Sequence, residues 1–201
     1  MVGTSYRNYT ANLVAETTNT ISIPARLRSI KSVFWKSAPT NSKAFYGLSA
    51  GGHMNLSQYQ LKIGGNMYPP TPIKCNVITN KIEPYLELQK AFGKLGSTVH
   101  GDLLSQSSYL VDATGSTLFN KNTNTIGSHN VDGCVGFAPF GIDLESFRHE
   151  IENGVDSASK ALPMLLELQH SSAPTAQPLQ LFVMYDTLFY INMGGTISVS
   201  T

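Results

Sequence analysis

From Leu162 onward the chain alternates apolar and polar positions with a period of two. Leu162, Met164, Leu166 and Leu168 share one parity, and so do Leu179, Leu181, Val183 and Tyr185. A strand with one buried face requires this pattern, because successive side chains point to opposite sides of a sheet. Phe189, Ile191, Met193, Ile197 and Val199 keep a single parity through Gly194-Gly195, where a bulge or tight turn fits. Asp186-Thr187 reads as a short polar connection, so the strands on either side of it are expected to form a hairpin.

Similar signals precede this region. Tyr9, Ala11 and Leu13 alternate, the polar run at 16–19 interrupts, and Ile21 and Ile23 resume before Pro24. Leu27 to Trp35 predicts a stronger strand, apolar on both faces near its end, as in a strand buried in a sandwich or at an interface. Tyr59, Leu61 and Ile63 predict another, closed by Gly64-Gly65. Pro69, Pro70 and Pro72 follow, and proline has no amide hydrogen, so this passage is barred from the middle of a sheet. Val135 to Leu144 returns to strand character. Leu144, Phe147 and Ile151 then sit at helical spacing before Asn153-Gly154, which fits a short helix and a strand-end turn equally.

One segment has a helical period. Tyr85, Leu88, Phe92 and Leu95 form an apolar stripe. Pro84 suits a first turn, Glu83 and Glu87 lie toward the positive end of the dipole, Lys90 and Lys94 toward the negative end, and Gly96 is the predicted stop. One helix, Glu83 to Leu95, among many strands is expected to cover an edge or end of a β-structure. Two long polar segments complete the reading: Ser37 to Asn55, and an insertion at about 97–133 whose part 112–133 is expected to project into solvent. The pattern as a whole predicts an all-β antiparallel sandwich with one or two short helices in its connections.

Composition sharpens the picture. Only 13% of the 201 residues are charged, about half the usual share, and Asn, Ser, Thr and Gly stand in their place. A surface so poor in charge suits long polar loops or burial against neighbours. The net charge of +1 gives no field to draw in nucleic acid, so no specific nucleic-acid partner is expected. Cys75 and Cys134 are too few to make a disulfide framework or a zinc site, and reduced thiols fit assembly inside a cell. The N-terminal residues contain no apolar signal core and no window long enough for a bilayer span, so no membrane insertion is expected.

Candidate chemistry is sparse. Gly47-Leu48-Ser49-Ala50-Gly51 fits the nucleophile-elbow pattern, but that motif needs a strand entering and a helix leaving, and Gly52-His53-Met54-Asn55 carries no helical stripe. His53, His100, His129, His149 and His170 form no H-x-H or H-E-x-x-H set. Asp143 and Glu145 could contribute to a calcium site, though a strand end is the preferred reading. Neither Gly64-Gly65 nor Gly194-Gly195 precedes a helix that could receive a phosphate. Arg7, Arg26, Arg28, Lys31 and Lys36 make a modest basic cluster. Phe34, Trp35, Phe45 and Tyr46 fit either core or subunit-contact anchors. No catalytic, cofactor-binding or metal-binding residue is assigned, and the chain is not expected to be an enzyme. A lectin-like glycan- or receptor-binding sandwich, using the loops at Ser37 to Asn55 and Ala113 to Gly133, is the alternative from another class.

The run IGGNMYPPTPI (Ile63 to Ile73) followed by EPYLELQKAFG (Glu83 to Gly93) resembles the major capsid proteins of Polinton/Maverick elements, adintoviruses and virophages. ISIPARLRSIKSVFW (Ile21 to Trp35) and MYDTLFYINMGGTISVS (Met184 to Ser200) resemble the entry and exit of that family's second, C-terminal jelly-roll. The resemblance implies a double jelly-roll capsid lineage in which three subunits form a pseudo-hexagonal capsomer and capsomers tile an icosahedral shell. It implies a homo-trimer and neighbouring capsid subunits as partners, location in the virion, and no cofactor. Residues 1–201 would be a single jelly-roll domain. The family carries an N-terminal jelly-roll as well, whereas Met1 stands almost at the second-sandwich motifs. That departure leaves open a companion N-terminal jelly-roll elsewhere, or a single jelly-roll penton protein at the vertex.

Overall fold

The computed structural model describes residues 2–37, 54–75, 82–93, 109, 139–145, 153–158, 162–174, 176–192 and 197–200. In chain order the elements are β1 (Val2–Leu13), β2 (Thr18–Ile23), β3 (Ile30–Ser37), β4 (Leu56–Ile63), β5 (Asn66–Lys74), α1 (Ile82–Ala91), β6 (Phe140–Asp143), β7 (Met164–His170), β8 (Gln177–Ile191) and β9 (Ile197–Ser200).

The strands pair as one ribbon folded back on itself. β4 and β5 form the central hairpin, and outward from it β3 pairs with β6, β2 with β7 and β1 with β8, every pair antiparallel. Winding that ribbon brings β3 beside β8 and β4 beside β7. The result is two sheets, ordered β1-β8-β3-β6 and β2-β7-β4-β5, with β9 added to β8. Consecutive strands thus pass from one sheet to the other, apart from the β4–β5 and β8–β9 pairs. This winding defines an all-β antiparallel jelly-roll sandwich.

Period-two patterning decides which face of each strand enters the core. Leu179, Leu181, Val183 and Tyr185 from β8 face Tyr59, Leu61 and Ile63 from β4 and Met164, Leu166 and Leu168 from β7, all of them buried. Trp35 lies at the centre, edge-on to Tyr59 at 4.9 Å between ring centroids and stacked near Phe140 at 5.9 Å. Phe34 and Trp35 are therefore core residues. The prolines of β5 sit on a sheet edge, as their missing amides demand. There the Gln60 amide donates to the carbonyls of Pro69 (2.7 Å) and Pro70 (3.2 Å), replacing ladder bonds that the register shift after Tyr59 removes. The Tyr68-Pro69 peptide is cis.

Two expectations are corrected. No hairpin forms at Asp186-Thr187: β8 runs straight through, pairing Asp186 with Thr4 and Thr187 with Gly3. The turn-like polarity of these two residues is overridden because both are buried and Asp186 has charged and hydroxyl partners. The helix is also shorter than its stripe suggests. It ends at Ala91, with Gly93 in the left-handed region (φ 68) and its N–H donating to the Lys90 carbonyl, so Gly93 rather than Gly96 is the stop. The buried face carries Pro84, Glu87, Leu88 and Ala91, while Phe92 is 45% exposed. The cause is where α1 rests. It packs on β6 and reaches β3 and β5, so Leu88 and Ala91 meet Gly141, and Phe92 stacks on Phe34 from the rim at 4.5 Å. A Cβ at Gly141 would lie 3.1 Å from Ala91, Leu88 and Phe34 at once, so the missing side chain sets the depth of the helix.

Residues 153–158 lash the β2–β3 connection to the sandwich. Val155 and Ile30 exchange backbone hydrogen bonds of 2.9 and 3.0 Å. The buried Ser157 hydroxyl donates to the Ala25 carbonyl and accepts from the Leu27 amide. Gly154 permits this approach, since a Cβ there would stand 2.5–2.7 Å from the Ile30 backbone. Gly154→Ala is expected to force the two segments apart and to lower unfolding free energy by about 2 kcal/mol in chemical denaturation. A change within about 0.5 kcal/mol would show that the lashing does not bear on stability.

Candidate functional site

The structure disperses the sequence's candidate chemistry. Ser49, His53, His100, His129, His149, Phe45, Tyr46, Cys134 and Gly194-Gly195 lie outside the described residues. His170 closes β7, where its Nδ1 donates to the Met54 carbonyl at 2.7 Å. Nε2 is buried with no partner among the described residues. Burial pushes the imidazole pKa below its ordinary value, and the bond to Met54 offsets only part of that effect. His170 is thus a neutral, structural histidine. Among the described residues, no three His, Cys, Asp or Glu side chains gather as a metal site.

Asp143 and Glu145 stand at the end of β6 and are committed to protein partners. The Asp143 carboxylate accepts the Glu145 amide at 3.1 Å, and Glu145 pairs with Lys31 at 3.0 Å. Lys31 also pairs with Asp186 at 3.1 Å, and the other Asp186 oxygen accepts the Ser29 hydroxyl at 2.9 Å. Desolvation lowers the Lys31 pKa, but hydrogen bonds to Glu145 and Asp186 together with their negative charge outweigh it, so the net shift is upward. Sequence reasoning missed this cluster by grouping Lys31 with Arg7, Arg26, Arg28 and Lys36 as a basic cluster. Its visible signal was Asp186, a carboxylate inside the apolar run LFVMYDTLFY. Gly64 makes the β4–β5 turn in the left-handed region (φ 62). Arg7 is exposed and lies over the Tyr185 ring at 5.8 Å, and Arg26 and Arg28 are exposed.

Cys75 is a buried cysteine near two buried tyrosines. Burial raises the pKa of both Tyr59 and Tyr109 well above the ordinary phenol value, and the neighbouring Cys75 adds to it. These hydroxyls and the Trp35 indole N–H have no partner among the described residues. Tyr85 of α1 reaches this group through Tyr109, 5.6 Å away between ring centroids. The group consists of packed rings, without an array of converging donors and acceptors.

The surface is more distinctive than the interior. β8 is long enough to outrun its covering sheet. Its residues 177–188 pair with β1, but 189–191 pair with β9 alone. Exposure climbs along this overhang, from buried Thr187 through half-buried Leu188 to Tyr190 (52%) and Ile191 (63%). Val199 of β9 and Val2 and Tyr6 of β1 are exposed beside them. The parity read in the sequence is present: Ile191 and Val199 lie on the face that, deeper in the molecule, carries Val183 and Tyr185. Here no described strand of the second sheet covers it. Neither strand of this β8–β9 blade has a charged residue from Leu188 to Asn192 or from Ile197 to Ser200.

No protein-family model matches the chain, and no curated protein matches its sequence. Among solved structures, it aligns over 100% of its length with a chain of the "PBCV-1 virus capsid, quasi-atomic model", at 11% identity and a TM-score of 0.48. The match covers 52% of that chain, so this protein spans about half its length. The jelly-roll assignment rests on the strand winding itself. No described helix is long and apolar enough to cross a membrane.

Proposed function

We propose that this chain is a structural capsid protein, a jelly-roll module of the double jelly-roll lineage that assembles with other capsid subunits. The observation that carries the reading is a jelly-roll that extends past its own core as an uncharged apolar blade, a surface suited to another protein rather than to a reactant. Support comes from where the resemblance residues fall. IGGNMYPPTPI spans the β4–β5 turn and the edge strand β5, and EPYLELQKAFG is α1 with its glycine stop. The two are joined where Glu83 accepts the Lys74 amide at 3.3 Å. These motifs therefore build one side wall of the sandwich. The chain acts as the second jelly-roll of the subunit, three subunits make a pseudo-hexagonal capsomer, and the capsomers tile an icosahedral virion. Residues 1–201 form one domain; the insertion at about 97–133 lies, apart from Tyr109, outside the described residues. No catalytic step belongs to this role.

Light scattering after size exclusion, followed by negative-stain microscopy, tests the proposal. Trimers or closed shells are the expected result, and rings of five would place the chain at the vertex. A monomer at all concentrations that is retained on a glycan array would replace the reading with a lectin-like one.

A further inference from the structure

We propose that the outer edge of β1 pairs with the same edge of a second copy, antiparallel about a two-fold axis at Tyr6, so that the two β1-β8-β3-β6 sheets join into one. The inference rests on the reading of the chain as an assembly subunit and names a contact that such assembly uses. A trimer supplies three-fold contacts only, and a shell also needs contacts that join one capsomer to the next.

An edge strand presents a row of main-chain N–H and C=O groups, and another strand is what satisfies such a row. β1 ends its sheet and pairs with β8 alone among the described strands. The other described edges are blunted: β5 carries three prolines, β6 has four residues and lies under α1, and β2 has six. β1, by contrast, runs for twelve residues in unbroken register with β8, without proline or lysine, and its one charge is Arg7. Its even-numbered row, from Val2 to Asn12, is exposed at every position.

This edge is complementary to itself. A two-fold axis normal to the sheet keeps each row of side chains on its own face, so the axis falls on a residue. On Arg7 it would set two guanidinium groups directly opposite each other, which destabilises the pair. On Asn8 it would set Gly3 against Leu13, a buried side chain at the end that turns into β2. On Tyr6 the partners fit. The two Tyr6 rings become cross-strand neighbours, Thr4 meets Asn8, Arg7 meets the uncharged Ser5, and the Tyr9 ring covers the bare strand at Gly3. Tyr6 is 60% exposed in the single chain, and this register covers it. Pairing over 2–10 forms roughly nine main-chain hydrogen bonds, one per residue as in any antiparallel ladder, close to the roughly ten of an ordinary interface.

Sedimentation velocity on the full chain over a concentration series provides the test, with Tyr6→Glu and Tyr6→Lys. Either variant alone is expected to weaken self-association about fivefold or more, because like charges then meet at the axis, and to leave the thermal midpoint unchanged. Mixing the two is expected to restore association, because opposite charges then meet. Oxidation reads the register. Tyr6→Cys is expected to give a disulfide-linked dimer, since directly opposed Cα atoms stand about 4.5–5.5 Å apart, and Asn8→Cys no more of it than the wild type. Association unchanged in both charge variants or still lost in their mixture, or a cross-link absent at Tyr6, overturns the β1 pairing and leaves the assembly reading standing. A wild-type chain that never associates overturns both.

Discussion

Trp35→Ala is expected to lower the free energy of unfolding by about 3–5 kcal/mol, the cost of removing a large buried ring from a packed core. Trp35 is fully buried and is the centre of an aromatic group that includes Tyr59 on the opposite sheet and Phe140 on the neighbouring strand. Its removal empties the one place where both sheets and the edge strand meet. Trp35→Phe keeps a ring there and deletes an indole N–H that has no partner among the described residues, so it is expected to cost about 1–2 kcal/mol. Urea denaturation followed by circular dichroism reads both variants, since the chain has a single tryptophan and its fluorescence is lost with it. A Trp35→Ala cost under about 1.5 kcal/mol would contradict the central placement of this ring.

Asp186→Ala is expected to cost about 3–5 kcal/mol for a different reason: it leaves the mostly buried Lys31 with one carboxylate fewer and the Ser29 hydroxyl without its acceptor. Replacing both ends of the pair, as in Lys31→Met with Asp186→Leu, is expected to recover only part of that loss, because Glu145 then loses its lysine partner. The cluster also sets a pH dependence. The folded-state pKa of Lys31 lies above the ordinary value of 10.5. Its contribution is therefore complete below that pH and is lost as pH rises through the folded-state value. Denaturation midpoints measured upward from about pH 9 should fall more steeply in the wild type than in the Lys31→Met, Asp186→Leu variant. Parallel curves would show that the lysine does not carry the alkaline transition.

Much of the sandwich was legible in the chain because strand burial follows from local alternation. The rows Leu179 to Tyr185 and Met164 to Leu168 enter the core as their parity requires, and the prolines at 69, 70 and 72 fall on an edge. The misread features share a cause. Asp186-Thr187 has the composition of a turn, and only its contacts with Ser29, Lys31 and the β1 ladder turn it into the interior of a 15-residue strand. The helix stripe was rotated because Phe92 was counted with the core. The surface beneath α1 is shaped by Gly141, fifty residues away, which draws in Leu88 and Ala91 instead. The candidate surface was half legible. The apolar parity of Ile191 and Val199 was plain, but nothing local distinguishes a row covered by a second sheet from one that runs past it.

The sequence by itself determined that this protein buries alternating rows of side chains between antiparallel strands, keeps proline at an edge, carries a short helix over residues 83–91 and has little charge. Those properties depend on neighbours within a few residues, where backbone geometry and side-chain chemistry leave few options. Only the tertiary structure decided which strands pair, that Lys31 and Asp186 share a buried cluster, and that the end of β8 is left uncovered. These depend on residues more than a hundred positions apart coming together, and a folded ribbon fixes such meetings through its register as a whole.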